Sequence, residues 1–235
     1  MRRVFALAGV LLFCTQGAVA QNVAAPGPAA KAVERVMTLG NGMKVVVAEK
    51  HLAPIVETDV FYHFGSGDET AGKTGLAHAL EHMMFRGTKE ISYAGLNELY
   101  AHFGARINGR TNEDFTQFYE IAPSAALGTI LRVEADRMQH LALLAKDWNT
   151  ERGAVLSEID GDLANPLGRF TIAVRRAIFQ GSGYELPAFG VRADVARATV
   201  DDLRKYYSEW YAPNNAILVV VGDVRTEDVF ALAKA

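Results

Sequence analysis

Three residues of the 235-residue chain are spaced for chemistry: His78, Glu81 and His82, within an apolar stretch of strong helix formers running from Gly75 to Thr88. At 3.6 residues per turn, positions i, i+3 and i+4 fall on one helical face, so both imidazoles and the carboxylate point at a single object. Two neutral imidazole nitrogens one turn apart suit Zn²⁺, whose catalytic sites take three protein ligands and keep one position for water. Glu81 is then left free to act as a base. The alternative is a helix whose two histidines are satisfied in a core or at a surface. For a lone histidine that is the better reading, but here three residues must coincide.

The elements that position this motif come from a chain with half its residues hydrophobic, enough for a packed core of one large or two small domains. Met1-Arg2-Arg3, the apolar run Val4 to Phe13 and Ala18-Val19-Ala20 read as a signal peptide over residues 1–20 with cleavage after Ala20. The run is too short to span a bilayer. Cleavage removes Cys14, the single cysteine, so the expected mature chain carries no thiol and suits a periplasm or secretion. Leu11-Leu12-Phe13 lack the small residue of a lipoprotein signal, so no stable membrane anchor is expected. Without Arg2 and Arg3 the mature chain has 22 basic against 27 acidic residues, a net charge of −5 that argues against nucleic acid as a partner.

Residues 21–34, rich in alanine and proline, read as a flexible leader. Val36–Leu39 and Met43–Ala48 flank Gly40-Asn41-Gly42, the pattern of two strands joined by a tight turn, and Ile55–Phe64 gives a third strand. After the motif helix a second is expected over Tyr93–Phe103, stopped by Gly104. Arg106–Arg110 and Asp114–Ile121 read as two strands, the first short and polar; it is either a sheet edge able to accept a peptide as an extra strand or an ordinary solvated hairpin. Ser124–His140 has helical spacing, with Arg132, Glu134, Asp136 and Arg137 expected on its solvated face. Helices are expected from Pro166 to Gln180, from the N-cap Thr199 to Trp210, and from Thr226. Ala216–Val221 reads as a central strand buried on both faces. His51, His63 and His140 have no ligand spacing and are expected to be structural.

The second informative stretch is 146–163, read mostly as helix. Glu151 and Glu158 stand seven residues apart, sharing a face with Val155. Two carboxylates on a partly apolar face are costly to bury without a cation opposite, and the histidine pair offers a place for one. Both being solvated on an acidic helix is the alternative that the residues alone leave open.

The chain resembles the N-terminal catalytic half of the pitrilysin (insulinase and mitochondrial processing peptidase) family of zinc peptidases, the inverzincins. The resemblance covers roughly 35–235. It is carried by His78-x-x-Glu81-His82 within Gly75–Thr88, Asn108 and Thr111 before Glu113-Asp114, Glu134-x-Asp136-Arg137-Met138, Glu151 to Glu158, and Trp210-Tyr211-x-Pro213-Asn214-Asn215 ahead of Gly222-Asp223. Glu158 follows His82 by 76 positions, the separation at which this family places its third zinc ligand.

The resemblance implies an α+β domain, a mainly antiparallel sheet covered by helices, like one half of a mitochondrial processing peptidase subunit. It implies one Zn²⁺ held by His78, His82 and Glu158, and a zinc-activated water losing its proton to Glu81 as it attacks a peptide bond. Glu151 would orient a histidine or the ligand helix. Asn108 would contact the backbone of substrate, which favours the sheet-edge reading. Gly109 departs from the family, where alanine is common. Family members enclose substrate between this domain and a related metal-free one, so a second domain or subunit is expected as partner to a 35–235 catalytic domain that stops inside a helix. The implied activity is that of a zinc endopeptidase acting on peptides or unfolded segments. A non-catalytic assembly subunit, or a zinc-binding half that needs its partner for activity, is the competing reading, although such scaffold proteins usually lose the ligands that are present here.

Overall fold

The computed structural model describes residues 34–235. The expected signal peptide and nearly all of the expected leader lie outside these residues, and the first strand starts at Glu34, the last residue of that leader. Six strands form one sheet: β1 (Glu34–Thr38), β2 (Lys44–Glu49), β3 (Ile55–Tyr62), β4 (Arg106–Thr111), β5 (Thr116–Pro123) and β6 (Ala216–Gly222), in the order β1-β2-β6-β3-β5-β4. Every pairing is antiparallel except that of β2 with β6. The helices are α1 (Leu76–Met84), α2 (Tyr93–Phe103), α3 (Leu127–His140), α4 (Ala145–Ala164), α5 (Pro166–Ile178), α6 (Arg192–Arg197), α7 (Val200–Trp210) and α8 (Thr226–Lys234). The expected α+β domain is therefore present.

Local chemistry explains most boundaries. The β1–β2 turn places Gly42 at φ +91°, a conformation L side chains rarely adopt, and Asn41 Oδ1 accepts the Met43 N–H at 3.1 Å. Ser92 caps α2, Gly104 ends it in the left-handed region, and Thr199 with Asp202 forms a reciprocal capping box on α7. Expected elements and observed ones agree here to within a residue or two. Helix α6 was not expected. It matters because its buried Asp194 accepts Thr74 Oγ1 at 2.8 Å, tying down the loop that enters the motif helix.

One sheet face carries Val45, Val47, Val56, Val60, Phe118, Leu218 and Val220 into a core shared with α1, α4, α7 and α8. The opposite face is only partly covered. Strand β6 alternates buried and half-buried residues rather than being buried on both sides, because helices pack on one face only. The run Ile217, Val219, Val221 is apolar on the outer face too, which is why its pattern looked like a doubly covered strand.

Helix α1 buries Leu76, Ala77, Ala79, Leu80, Met83 and Met84 in that core, so His78, Glu81 and His82 must occupy the other side. Its start is held tightly. Gly75 sits at φ +82°, and a Cβ there would fall 2.5 Å from the Phe189 carbonyl oxygen, so no other residue fits. The Glu69 carboxylate accepts the Gly75 and Ala77 N–H groups at 2.7 Å each, capping the helix from six residues upstream. Burial outweighs these bonds and pushes the Glu69 carboxyl up to about 7.

Helix α3 departs from expectation. Glu134 and Arg137 are fully enclosed rather than solvated. Arg137 Nη1 donates to Glu134 Oε1 at 2.5 Å and to Glu120 Oε1 at 3.3 Å, while Thr58 Oγ1 donates to Glu120 Oε2 at 2.7 Å. The guanidinium also lies over the rings of Phe85 and Phe118, at 5.2 and 4.9 Å. With two carboxylates and one guanidinium in a dry site, burial and the Glu134 charge hold Glu120 well above the usual carboxylate range, keeping it protonated.

Two stability measurements check these devices. Arg137→Met strands a buried charge and should cost about 3–5 kcal/mol in urea unfolding, whereas Glu120→Gln, which replaces an already neutral group, should cost about 1 kcal/mol or less. For Glu69 the folded state binds the extra proton between the ordinary carboxyl value of 4.5 and about 7, so stability falls as pH rises across that window. Relative to Glu69→Gln, the native chain should lose up to about 3 kcal/mol between pH 4.5 and 7; parallel pH profiles would refute the burial-raised pKa.

Candidate metal centre

Helix α4 brings the second half of the site. Trp148, Glu151, Val155 and Ile159 form its buried stripe, and Trp148 Nε1 donates to the Ala198 carbonyl at 2.9 Å, fixing the helix rotation. Glu151 is therefore driven into the protein beside Val155, as the seven-residue spacing required, while Glu158 stands at the solvent rim with its side chain 54 % exposed.

The donors meet between α1 and α4. His78 Nε2 and His82 Nε2 are 3.3 Å apart, and Glu158 Oε2 lies 3.5 Å from the first and 3.6 Å from the second. Ligands around a tetrahedral zinc with bonds of about 2.0–2.1 Å stand about 3.3–3.4 Å from one another. The three atoms thus already have the spacing of three corners of such a tetrahedron, and the donor set of two imidazoles and a carboxylate suits zinc. Among the described residues this is the one cluster of three or more such side chains arranged to hold a metal ion.

The imidazoles are prepared for that task. His82 Nδ1 donates to Glu151 Oε2 at 2.9 Å, which leaves Nε2 with its lone pair toward the site. Burial, assisted by His82, lowers the His78 pKa to about 4 and keeps that ring neutral; its Nδ1 is buried without a partner, so Nε2 is its one nitrogen facing the donors. Glu151 in turn accepts the Arg86 guanidinium on Oε1, and Arg86 lies over the Tyr93 ring at 4.8 Å. The cation demanded by a buried Glu151 is therefore Arg86, and the neutral His82 ring adds a hydrogen bond. Sequence reasoning missed Arg86, which lies just past the end of α1, four residues after His82.

Glu81 lies beside the triad. Its Oε2 accepts Thr111 Oγ1 at 2.6 Å, and burial raises its pKa, a rise that this bond and His82 partly oppose. Thr111 belongs to β4, whose Gly109 also faces α1: a methyl group there would stand 3.0 Å from Glu81 Cγ and 3.2 Å from the Phe118 ring. The glycine at this position thus leaves room beside Glu81 that an alanine methyl group would take, besides any effect on the strand's stiffness.

Strand β4 is the edge of the sheet, as the polar sequence suggested. Asn108 is exposed on it and alternates with Ile107 and Gly109, so its side chain belongs to the sheet face away from α1, with Oδ1 accepting the Gly109 N–H at 2.9 Å. It still borders an open cavity of about 380 Å³ lined by His78, Glu81, His82, Phe85, Arg86, Tyr93, Glu151 and Glu158. A second cavity of about 310 Å³ continues past His78, Glu81 and Glu158 to Arg110 and Asp162. The expected structural histidines are elsewhere: His51 pairs with Asp223 at 2.7 Å and His140 with Asp136 at 2.8 Å, and His63 is exposed.

The same organisation recurs in known proteins. Residues 44–190 match the family model described as insulinase (peptidase family M16), and 197–235 match that of the peptidase M16 inactive domain. The zinc protease PqqE of Helicobacter pylori is 34 % identical over 200 residues, 84 % of this chain and 45 % of that protein. A crystal structure of a protease from Helicobacter pylori superposes with a TM-score of 0.82 at 31 % identity, covering 86 % of this chain and 49 % of that one. The periplasmic protease PqqL from Escherichia coli gives 0.80 at 26 % identity, covering 86 % of this chain and 23 % of that one. The chain spans less than half the length of these curated and solved relatives. With a family match across most of the described residues and a zinc protease one-third identical over the same span, the chain belongs to the insulinase family of peptidases, M16.

Proposed function

We propose that this chain is the metal-holding, catalytic part of a zinc endopeptidase, with His78, His82 and Glu158 as ligands and Glu81 as the proton carrier. The observation that carries this reading is the 3.3–3.6 Å triangle of donor atoms with Glu81 beside it. Zn²⁺ held there would supply Lewis acidity, acidifying a water and polarising a peptide carbonyl. Glu81 takes the proton of the attacking water and returns it to the leaving amine. Thr111 occupies Glu81 Oε2 and so leaves Oε1 for that transfer. Glu151, braced by Arg86, holds His82 in the tautomer that presents Nε2. A peptide adds to the open edge of β4 beside Asn108, which sets its backbone along the cavity.

A site with Glu158 more than half exposed does not exclude water by itself. Together with the half-length match, this supports a second, metal-free domain or subunit that closes over the bound peptide, residues 35–235 forming the catalytic side. The periplasmic Escherichia coli relative and the apolar N-terminal run support export, with cleavage after Ala20.

Metal analysis and hydrolysis of a quenched peptide separate the roles. Glu81→Gln should retain one zinc per chain and lose hydrolysis by 10²-fold or more, whereas Glu158→Gln should lose zinc; equal zinc loss in both would refute the assignment. A zinc-replete chain that cleaves only when a second half is supplied would establish the partner's role, and cleavage by the isolated chain would dismiss it. Removing zinc with a chelator should lower stability by about 2.7 kcal/mol when free zinc had stood at 100 times its dissociation constant. An unchanged melting midpoint would speak against a metal joining α1 to α4.

A further inference from the structure

The open edge of β4 carries charge as well as backbone. Arg106, Asn108 and Arg110 are exposed on the sheet face away from α1, alternating with Ile107, Gly109 and Thr111. The two arginines therefore stand two places to either side of Asn108 on the same face. Neither forms an ion pair with a carboxylate among the described residues, although Arg110 lies over the Phe115 ring at 5.5 Å and opposes the rise that burial imposes on the Asp59 pKa.

A peptide paired with β4 would place alternate side chains directly opposite these positions, with Cβ atoms about 4.5–5.5 Å apart. Its intervening side chains would face the cavity that contains Glu81, Glu158 and Asp162. The backbones of Glu57 and Asp59 on β3 share the outer face beyond β5, and although Glu57 lines one open cavity with Asn108 and Arg110, they stand three strand spacings from a bound peptide, about 14 Å. That exceeds the Debye length of about 8 Å at physiological salt, so the adjacent arginines outweigh them.

We infer that β4 selects extended peptide segments bearing acidic side chains at the alternate positions opposite Arg106 and Arg110, with uncharged or basic residues between them. The inference rests on the strand addition proposed above and gives it a substrate class.

The probes are fluorescein-labelled nonapeptides alternating valine with glutamate or with lysine, titrated by anisotropy with the zinc-loaded Glu81→Gln chain. At physiological salt the glutamate peptide should bind about three- to tenfold more tightly, and Arg106→Glu/Arg110→Glu should reverse the order. Arg132→Glu/Lys205→Glu makes the same change in net charge on α3 and α7 and should leave the order intact. An order that survives the β4 reversal, or that moves equally with the control pair, overturns the inference. Glutamate peptides methylated on alternate backbone nitrogens, in either phase, separate the two layers of the argument. If both methylated forms bind like the parent, strand addition falls and the inference with it. If methylation abolishes binding while glutamate and lysine peptides bind alike, strand addition stands and charge selection falls.

Discussion

Two nitrogens and an oxygen from α1 and α4 must stand within 3.6 Å of one another, and most of the molecule can be understood as what that closeness requires. Neutral imidazoles at this distance are tolerable, but carboxylates turned toward a half-buried pocket are not stable alone. The fold answers with opposite charge in separate places. Arg86 neutralises Glu151, to which the His82 ring donates a hydrogen bond, the cation that the triad is spaced to hold would neutralise Glu158, and the Thr111 hydroxyl supports Glu81. Each carboxylate has a different kind of partner, which lets three of them share one cleft with different duties.

Position is fixed as firmly as charge. The entrance to α1 is pinned by Gly75, Glu69 and the Thr74–Asp194 bond, and its exit by Phe85, which lies against the buried Arg137 guanidinium. The same guanidinium touches Phe118, the residue under Gly109. Motif helix and edge strand are thus referenced to one buried charge, so the distance between Glu81 and the strand beside it is set from underneath rather than by loops.

What the sequence made legible was local. Helix caps at Ser92 and Thr199, the stop at Gly104 and the turn around Gly42 are chemistry between near neighbours, and they could be read in order. The donor triad and Glu151 were legible through spacing on helices and through family resemblance. The buried Arg137 network was not, since a charged residue on an amphipathic helix normally faces water, and only the carboxylate of Glu134 on α3 and the carboxyl group of Glu120 on β5 make its burial tolerable. Arg86 and the Thr111–Glu81 bond depend on which elements become neighbours, a tertiary fact with no periodic signature. Strand β6 was misjudged because an apolar residue on a half-covered face looks in sequence like a buried one.

The place of β6 in the sheet has a kinetic consequence. Its neighbours are β2 on one side and β3 on the other, with Lys44 set against Ile217 and Val60 against Leu218. Until residues 216–222 are available, the β1–β2 hairpin and the three-stranded β3-β5-β4 part have no shared strand, and each shows an unpaired inner edge. The last strand closes the sheet between segments made much earlier, a pattern of high contact order that slows folding and lengthens the time the chain stays open. A chain built in this way has its motif helix written early and its floor completed late. The two parts of the sheet can pair within themselves early, but they meet only when residues 216–222 come between them.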